Sequence, residues 1–226
     1  MMQQLLLQLA EPPAPTLNNF VPGRNGAALQ ALRDIAGGSA ERFVYLWGEP
    51  GSGRTHLLRG LVHAAGARQA RYFAGAVAAD PGGDCVIAVD DVQQLAADDQ
   101  ISLFDLYNRV RAAGGALIAS GDAAPAQLGL RADLRSRLAW GLAFQLHPLS
   151  DAEKAAALRA HAEERALRLS EDVIAYLLQH ARRDMASLIG ILDALDRYSL
   201  EQKRPVTLPL LRSALESMKN KPSTPS

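Results

Sequence analysis

The stretch Phe43-Val44-Tyr45-Leu46-Trp47-Gly48-Glu49-Pro50-Gly51-Ser52-Gly53-Arg54-Thr55 decides the fold of this chain. Its apolar first part predicts a buried strand, and a helical pattern over residues 55–65 follows the glycine-rich part. Strand, glycine-rich loop and helix in this order are typical of a phosphate-binding loop. The glycines let the backbone N–H groups curve around an anion, and the helix N-terminus adds its positive end. The stretch therefore predicts a nucleotide-binding α/β fold.

One residue of the loop departs from the usual pattern, because Arg54 stands where such loops carry lysine. Arginine keeps the charge but is bulkier and forks, so we expect nucleotide binding to tolerate the change more readily than hydrolysis. A chance glycine-rich turn is the alternative, and the coincidence of strand, loop, helix and a hydroxyl suited to Mg²⁺ favours the nucleotide. The candidate contacts are Gly48, Gly51, Ser52, Gly53, Arg54, Thr55 and His56.

A second apolar run, Val86-Ile87-Ala88-Val89, ends in the acidic pair Asp90-Asp91. Carboxylates after a buried strand suit Mg²⁺, so we expect Asp90 to hold the ion together with Thr55 and Asp91 to polarise a water molecule. A solvated acidic turn is the alternative interpretation. The upstream phosphate loop favours the magnesium site.

Five apolar runs bounded by turn residues predict the strands of a parallel sheet with intervening helices. These runs are residues 43–47, 71–73, 85–89, 116–120 and 142–146. After Pro148 the pattern becomes helical, because Ser150-Asp151-Ala152-Glu153 is a capping box and further helices are predicted after Ser170, over residues 185–200 and over 209–218. We predict an N-terminal peptide and linker over 1–19, an α/β subdomain over 20–148, a helical lid over 149–219 and a frayed tail over 220–226.

Composition excludes several classes of protein. The 226 residues are 48% hydrophobic, which is enough for one domain with a small lid. Lysine plus arginine and aspartate plus glutamate both total 24, so no global basic field favours nucleic acid. The lone Cys85 excludes a disulfide framework, and the five histidines form no zinc pattern. No apolar stretch approaches the roughly 20 residues of a spanning helix, so we expect a cytoplasmic protein with no membrane contact.

Several motifs are similar to a known family. They are Phe20-Val21-Pro22-Gly23-Arg24-Asn25, residues 51–58, residues 104–109, Ser120-Gly121-Asp122, residues 133–141 and Pro148-Leu149-Ser150-Asp151. In these motifs the chain resembles the AAA+ module of the DnaA family and, within it, the DnaA-related regulator Hda (the DnaA regulatory inactivator family). The resemblance covers nearly the whole chain. It implies an AAA+ phosphate-loop module with a five-stranded parallel sheet and a C-terminal all-helical lid.

The resemblance also implies roles for individual residues. Pro22 would lie beside the adenine and Asp122 at the sensor-1 strand end. Arg137 would be an arginine finger presented to the nucleotide of a neighbouring subunit, and Arg183 the sensor-2 residue of the lid. A surface or helix-capping charge is the alternative for either arginine, since most arginines are exposed.

The N-terminal Gln4-Leu5-Leu6-Leu7-Gln8-Leu9 resembles the peptide by which Hda-like proteins bind the replication sliding clamp, the beta subunit of DNA polymerase III. The matching residues are Gln4, Leu5, Leu7 and Leu9, whereas Leu6 and Gln8 depart from the family pattern. The departures leave the peptide less rigid, which predicts weaker binding. The alternative is an amphipathic start that packs on the domain. The proline-rich spacer after it favours a tethered ligand.

Taken with the resemblance, these features predict a regulator of replication initiation. Holding ADP or ATP with Mg²⁺, it would dock on DnaA while tethered to the DNA-loaded clamp and promote hydrolysis of DnaA-bound ATP. We expect no sequence-specific DNA binding, because the chain stops at Ser226, shortly after the lid, where an initiator continues into a helix-turn-helix domain. Two alternatives stay open: an autonomous ATPase, and a clamp-binding adaptor without chemistry. A homo-oligomer is compatible with each.

Overall fold

The computed structural model describes residues 13–38, 41–66, 69–75, 85–182, 184–202 and 205–219. Of these residues, Pro15–Pro148 form one compact unit and those from Leu149 onward belong to a second. The predicted clamp-binding residues Gln4, Leu5, Leu7 and Leu9, the predicted sensor Arg183 and the tail over 220–226 lie outside the described residues.

The first unit contains a five-stranded sheet in the order β2-β3-β4-β1-β5 with parallel pairing throughout. Its strands are β1 (Phe43–Trp47), β2 (Gln69–Ala74), β3 (Cys85–Asp90), β4 (Ala116–Gly121) and β5 (Leu142–Gln145). The α/β fold class and the five predicted strands are confirmed, and the strand ends differ from the prediction by at most two residues.

Helices cover both faces of this sheet. They are α1 (Gly26–Ala36), α2 (Arg54–Ala64), α3 (Ala97–Ala112) and α4 (Ala132–Leu138). Side chains alternate between faces along a strand, so β1 sends Val44 and Leu46 into the cluster shared with α1 and α2. Tyr45 enters the opposite cluster, which α3 and α4 complete. All described residues of β3 and β4 are buried, which explains why their sequences are continuous apolar runs.

The strand order determines where polar residues meet. Strands β3, β4 and β1 are neighbours, and in parallel strands the carboxyl ends lie at one edge. The glycine-rich loop after β1, Asp90 at the end of β3 and Ser120 near the end of β4 therefore share that edge. Ligands bind at this edge in open α/β sheets.

The second unit is helical, with α5 (Asp151–Glu164), α6 (Glu171–His180), α7 (Met185–Gln202) and α8 (Leu208–Lys219). The predicted capping box is confirmed, because the Ser150 hydroxyl accepts from the Glu153 N–H at 3.2 Å and the Glu153 carboxylate accepts from the Ser150 N–H at 2.7 Å. Ser170 occupies the predicted N-cap position of α6, but its side chain accepts no capping hydrogen bond.

Leucines and other aliphatic side chains from α5 to α8 form a core of their own. Among the described helices, none combines the length and the apolar character that crossing a membrane requires.

Candidate functional site

The backbone of the phosphate loop depends on glycine at three positions. Gly51 and Gly53 adopt left-handed conformations with φ of 82° and 97°, which side chains with a Cβ rarely adopt. A Cβ at Gly48 would collide with the carbonyl oxygen of Leu146, and one at Gly53 would come 2.6 Å from the Phe20 ring. The loop therefore keeps its curvature only with these glycines.

The carboxylate of Asp90 is the most heavily bonded group of the site. Asp90 is 2% exposed, and its Oδ2 accepts from the Thr55 hydroxyl at 2.6 Å and from the Tyr72 hydroxyl at 2.7 Å. Its Oδ1 accepts from the Ser120 hydroxyl and from the Asp91 N–H. A buried carboxylate is stable only with such donors. The structure thus brings Thr55 and Asp90 together, as the predicted magnesium site requires.

Tyr72 and Ser120 are site residues that the sequence prediction did not assign to this carboxylate. Burial, with the hydrogen bond to Asp90, raises the pKa of Tyr72 to about 12. The phenol therefore remains a donor at physiological pH. Ser120 also accepts from the Asp91 N–H at 3.2 Å, so one hydroxyl connects both members of the acidic pair.

Asp91 follows in a left-handed conformation with φ of 53°, which is uncommon for a residue with a Cβ. Its Oδ1 lies 3.5 Å from Nη1 of Arg54 and accepts from the Gln93 amide at 3.0 Å. The Arg54 side chain is 12% exposed and the Asp91 side chain 33%. The cation of the phosphate loop is thus paired with the carboxylate that was predicted to polarise water.

Two buried polar groups of the loop lack a hydrogen-bond partner within the described part of the chain, namely the Ser52 hydroxyl and Nη1 of Arg54. Buried polar groups without a hydrogen bond are costly, and phosphate oxygens bound at the loop would give each of them an acceptor. Mg²⁺ binds through one or two carboxylates plus phosphate oxygens, and Asp90 with Thr55 offers such a set. No group of three or more histidine, cysteine or acidic side chains that could hold a metal by itself occurs among the described residues. These residues fit a nucleotide with Mg²⁺.

The residues predicted to flank the nucleotide lie close to the same edge. Pro22 is exposed, and its carbonyl accepts from the Asn25 N–H at 2.7 Å. The Asn25 side chain in turn bonds both the N–H and the carbonyl of His147, each at 2.8 Å, and so attaches this segment to the chain beyond β5. Asp122 is exposed and directly follows β4.

The side chain of His56 holds the segment before the loop. Its Nε2 lies 3.0 Å from the Thr16 carbonyl oxygen and 2.9 Å from Oδ1 of Asn19, so the neutral ring with its proton on Nε2 donates to both. The Phe20 ring packs against it at 5.4 Å between centroids. Burial lowers the pKa of His56 below its usual 6.5. His56, which was predicted to contact the nucleotide, therefore holds the segment that precedes the loop in place.

The lowered pKa of His56 predicts an acid-sensitive site. The contribution of the neutral ring to stability is complete above pH 6.5 and is lost as the pH falls through the lower folded-state value. We expect the free energy of unfolding to fall between about pH 7.5 and about pH 5.5. Replacing His56 with glutamine, which keeps a donor but does not titrate, should reduce that fall. Denaturant unfolding at both pH values measures it; an equal fall in the variant would contradict this role.

Arg137 lies in the last turn of α4. Its guanidinium carbon is 4.3 Å from the ring centre of Trp140, 5.4 Å from that of Phe104 and 5.9 Å from that of Tyr107. Phe104 and Tyr107 belong to the cluster on the face opposite α2. The side chain is partly exposed, and no carboxylate among the described residues pairs with it. Arg137 is therefore a partly exposed cation with no carboxylate partner in the described part of the chain.

Comparison with protein families divides the chain at the same region as the structure does. Residues 83–145 match the model described as the bacterial DnaA ATPase domain, and residues 151–215 match the one described as the lid domain of Hda. A protein of Haemophilus influenzae described as uncharacterized is 34% identical over 229 residues, which cover 95% of this chain and 99% of the relative.

Similar solved structures share the fold at lower identity. Domain III of the Thermotoga maritima replication initiation protein DnaA has a TM-score of 0.68 at 21% identity and covers 92% of this chain and 98% of that one. AMPPCP-bound DnaA from Aquifex aeolicus has a TM-score of 0.64 at 22% identity, covering 84% of this chain and 70% of that one. A Thermotoga maritima RuvB variant has a TM-score of 0.64 at 15% identity, covering 92% and 72%. At these identities the likeness shows a common fold.

Proposed function

The chain belongs to the Hda-like family of DnaA-related AAA+ proteins, and from that premise we propose that it regulates replication initiation by promoting hydrolysis of ATP bound to DnaA. The observation that carries this proposal is the placement of Arg137. Its guanidinium is partly exposed and, among the described residues, has aromatic neighbours and no carboxylate partner. These neighbours lie on the face of the sheet opposite the helix of its own phosphate loop.

An uncompensated arginine at the surface can act on another subunit's triphosphate. Charge develops on the transferred phosphoryl group during hydrolysis, and a guanidinium brought against it stabilises that charge. Arginine fingers contribute roughly 10³ to 10⁵ in rate. A carboxylate partner would cancel most of this field, so the absence of one near Arg137 within the described residues supports the assignment.

The site of the chain itself would hold ADP or ATP. Gly51 and Gly53 give the loop its left-handed curvature, and the Ser52 hydroxyl and Nη1 of Arg54, which make no hydrogen bond among the described residues, would donate to phosphate oxygens. The phosphates of a bound nucleotide would supply acceptors for these donors. Asp90 and Thr55 would hold its Mg²⁺. The DnaA structure from Aquifex aeolicus is described as AMPPCP-bound, which supports this reading of a shared fold.

The pairing of Arg54 with Asp91 favours binding over turnover at this site. Hydrolysis needs a carboxylate free to orient water, and here that carboxylate already contacts Arg54 and Gln93. The bulk of arginine in the lysine position acts in the same direction. We infer that the nucleotide of this chain serves mainly to keep the module in the conformation that binds DnaA.

The N-terminal peptide would provide attachment and no chemistry. Gln4, Leu5, Leu7 and Leu9 are proposed to bind the sliding clamp, and the proline-rich spacer would allow simultaneous contact with DnaA. Linking two weak contacts raises the effective concentration of the second, so even a diverged peptide contributes. DnaA and the clamp are therefore the proposed partners.

An autonomous ATPase is the second candidate, and one contact favours it. The Thr55 hydroxyl and the Asp90 carboxylate are 2.6 Å apart, which is the pairing expected of an intact metal site. This candidate requires steady ATP turnover by the purified chain alone.

One assay separates the two candidates. DnaA is loaded with radiolabelled ATP, freed of excess nucleotide, and mixed with the chain and with clamp loaded on DNA. The proposal predicts rapid conversion of the DnaA-bound ATP to ADP only when the chain is present, and slow turnover by the chain alone. Equal conversion with and without the chain would refute the regulatory role.

A further inference from the structure

The ring nearest to the Arg137 guanidinium belongs to Trp140. The distance from the guanidinium carbon to the Trp140 centroid is 4.3 Å, against 5.4 Å for Phe104 and 5.9 Å for Tyr107. Tryptophan is the aromatic side chain that attracts cations most strongly, and all three distances lie within the range of that attraction. Trp140 is therefore the nearest of the three aromatic neighbours of this cation.

The backbone places Trp140 at this position. Its N–H donates to the carbonyl of Arg137 at 3.1 Å in the turn that ends α4. Directly after it, Gly141 lies so close to Phe43 that a Cβ there would collide with the Phe43 carbonyl. The turn is thus packed against β1, and the Trp140 indole lies beside the Arg137 side chain.

The Trp140 side chain lies largely outside the hydrophobic core. The residue is 58% exposed, so much of a large apolar ring remains in water, and it is absent from the core cluster that Leu134 and Leu138 of α4 join. Leaving this surface exposed costs free energy that burial would recover.

An aromatic ring holds an arginine differently from a carboxylate. Arg131 and Arg159 are paired with Asp133 and Glu171 at 2.8 Å and 2.6 Å, and each pair is electrically neutral. A ring restricts the guanidinium without cancelling its positive charge. Arg137 has rings and no such partner within the described chain, so its field remains available to an anion.

We propose that Trp140 is the positioning residue of Arg137, holding the guanidinium at the surface in an orientation ready for a triphosphate without neutralising it. This inference rests on the proposed function. Preorganised charge stabilises a transition state better than charge that must first be arranged, so the effect belongs to the catalysed rate and not to docking.

The test measures the maximal stimulated rate of DnaA-bound ATP hydrolysis and the concentration of the chain that gives half of it. Trp140→Leu, which loses the ring, should lower the maximal rate roughly three- to thirty-fold, with little change in the half-saturating concentration. Trp140→Phe, which keeps an aromatic face, should restore most of the rate. The unfolding midpoint of Trp140→Leu should stay close to that of the parent, because the ring is largely exposed.

Arg111 offers a matched control, since its guanidinium carbon lies 4.8 Å from the same ring. Arg111→Ala removes a cation near Trp140 but leaves the contact with Arg137. An equal loss of rate in Arg111→Ala, an unchanged maximal rate in Trp140→Leu, or a change confined to the half-saturating concentration would each overturn the positioning role. If Arg137→Ala loses stimulation while Trp140→Leu does not, only this inference fails. If Arg137→Ala has no effect, the proposed function fails.

Discussion

Arg137→Ala should lower the rate at which this chain stimulates hydrolysis of DnaA-bound ATP by roughly 10³-fold or more. The truncated side chain no longer carries charge to the transferred phosphoryl group, while the surface that docks remains. Arg137 is only partly buried, and the ring nearest to its guanidinium, that of Trp140, is itself exposed. The fold should therefore tolerate the change. The measurement is a single-turnover conversion of radiolabelled ATP on DnaA with loaded clamp present.

Arg135→Ala is the control for that variant. Arg135 lies on the same helix, and its replacement removes the same charge. Its guanidinium, however, is within 3.5 Å of the carbonyl oxygens of Ala126 and Leu128 in its own unit. We expect Arg135→Ala to keep most of the stimulation. Full stimulation by Arg137→Ala, or equal losses in both variants, would contradict the finger assignment.

Arg54→Ala should weaken nucleotide binding by the chain itself about ten- to a hundred-fold, the value of one or two hydrogen bonds between charged groups. Arg54 is the cation of the loop, and its Nη1 makes no hydrogen bond among the described residues, although it lies 3.5 Å from Oδ1 of Asp91. Arg54→Lys, which restores the usual residue of such loops, should retain binding. Titration with a fluorescent ADP analogue gives the dissociation constants.

Arg71→Ala provides the comparison of equal charge. Arg71 is exposed on β2, and its guanidinium contacts only the neighbouring Ala70 carbonyl among the described contacts. Its replacement should leave nucleotide affinity unchanged. If Arg54→Ala bound nucleotide as tightly as Arg71→Ala, the glycine-rich loop would not be the binding site.

The sequence was sufficient to predict the fold and the loop. Continuous apolar runs such as Val86-Ile87-Ala88-Val89 predict strands that are buried on both faces. The burial of every residue of β3 confirms this prediction. Glycines before a helical pattern identify the phosphate loop because left-handed backbone restricts the choice of residue. The capping box at Ser150 was predictable for a similar reason, since its hydrogen bonds join residues three apart.

Other features of the site depend on contacts that no local pattern records. The hydrogen bonds of Tyr72 and Ser120 to Asp90 arise from the order of β2, β3 and β4 in the sheet. The bond from His56 to Thr16 spans 40 residues, and the pairing of Arg54 with Asp91 joins a loop to a strand end. The local sequence around Trp140 likewise does not reveal that its ring lies exposed against Arg137.

The most direct test of the account is a structure of this chain bound to DnaA that holds a non-hydrolysable ATP analogue. The account predicts the Arg137 guanidinium within about 3 Å of a terminal phosphate oxygen of the nucleotide on DnaA, a charge-assisted hydrogen bond. A complex in which Arg137 faces solvent, while another residue of this chain or none approaches that phosphate, would contradict it.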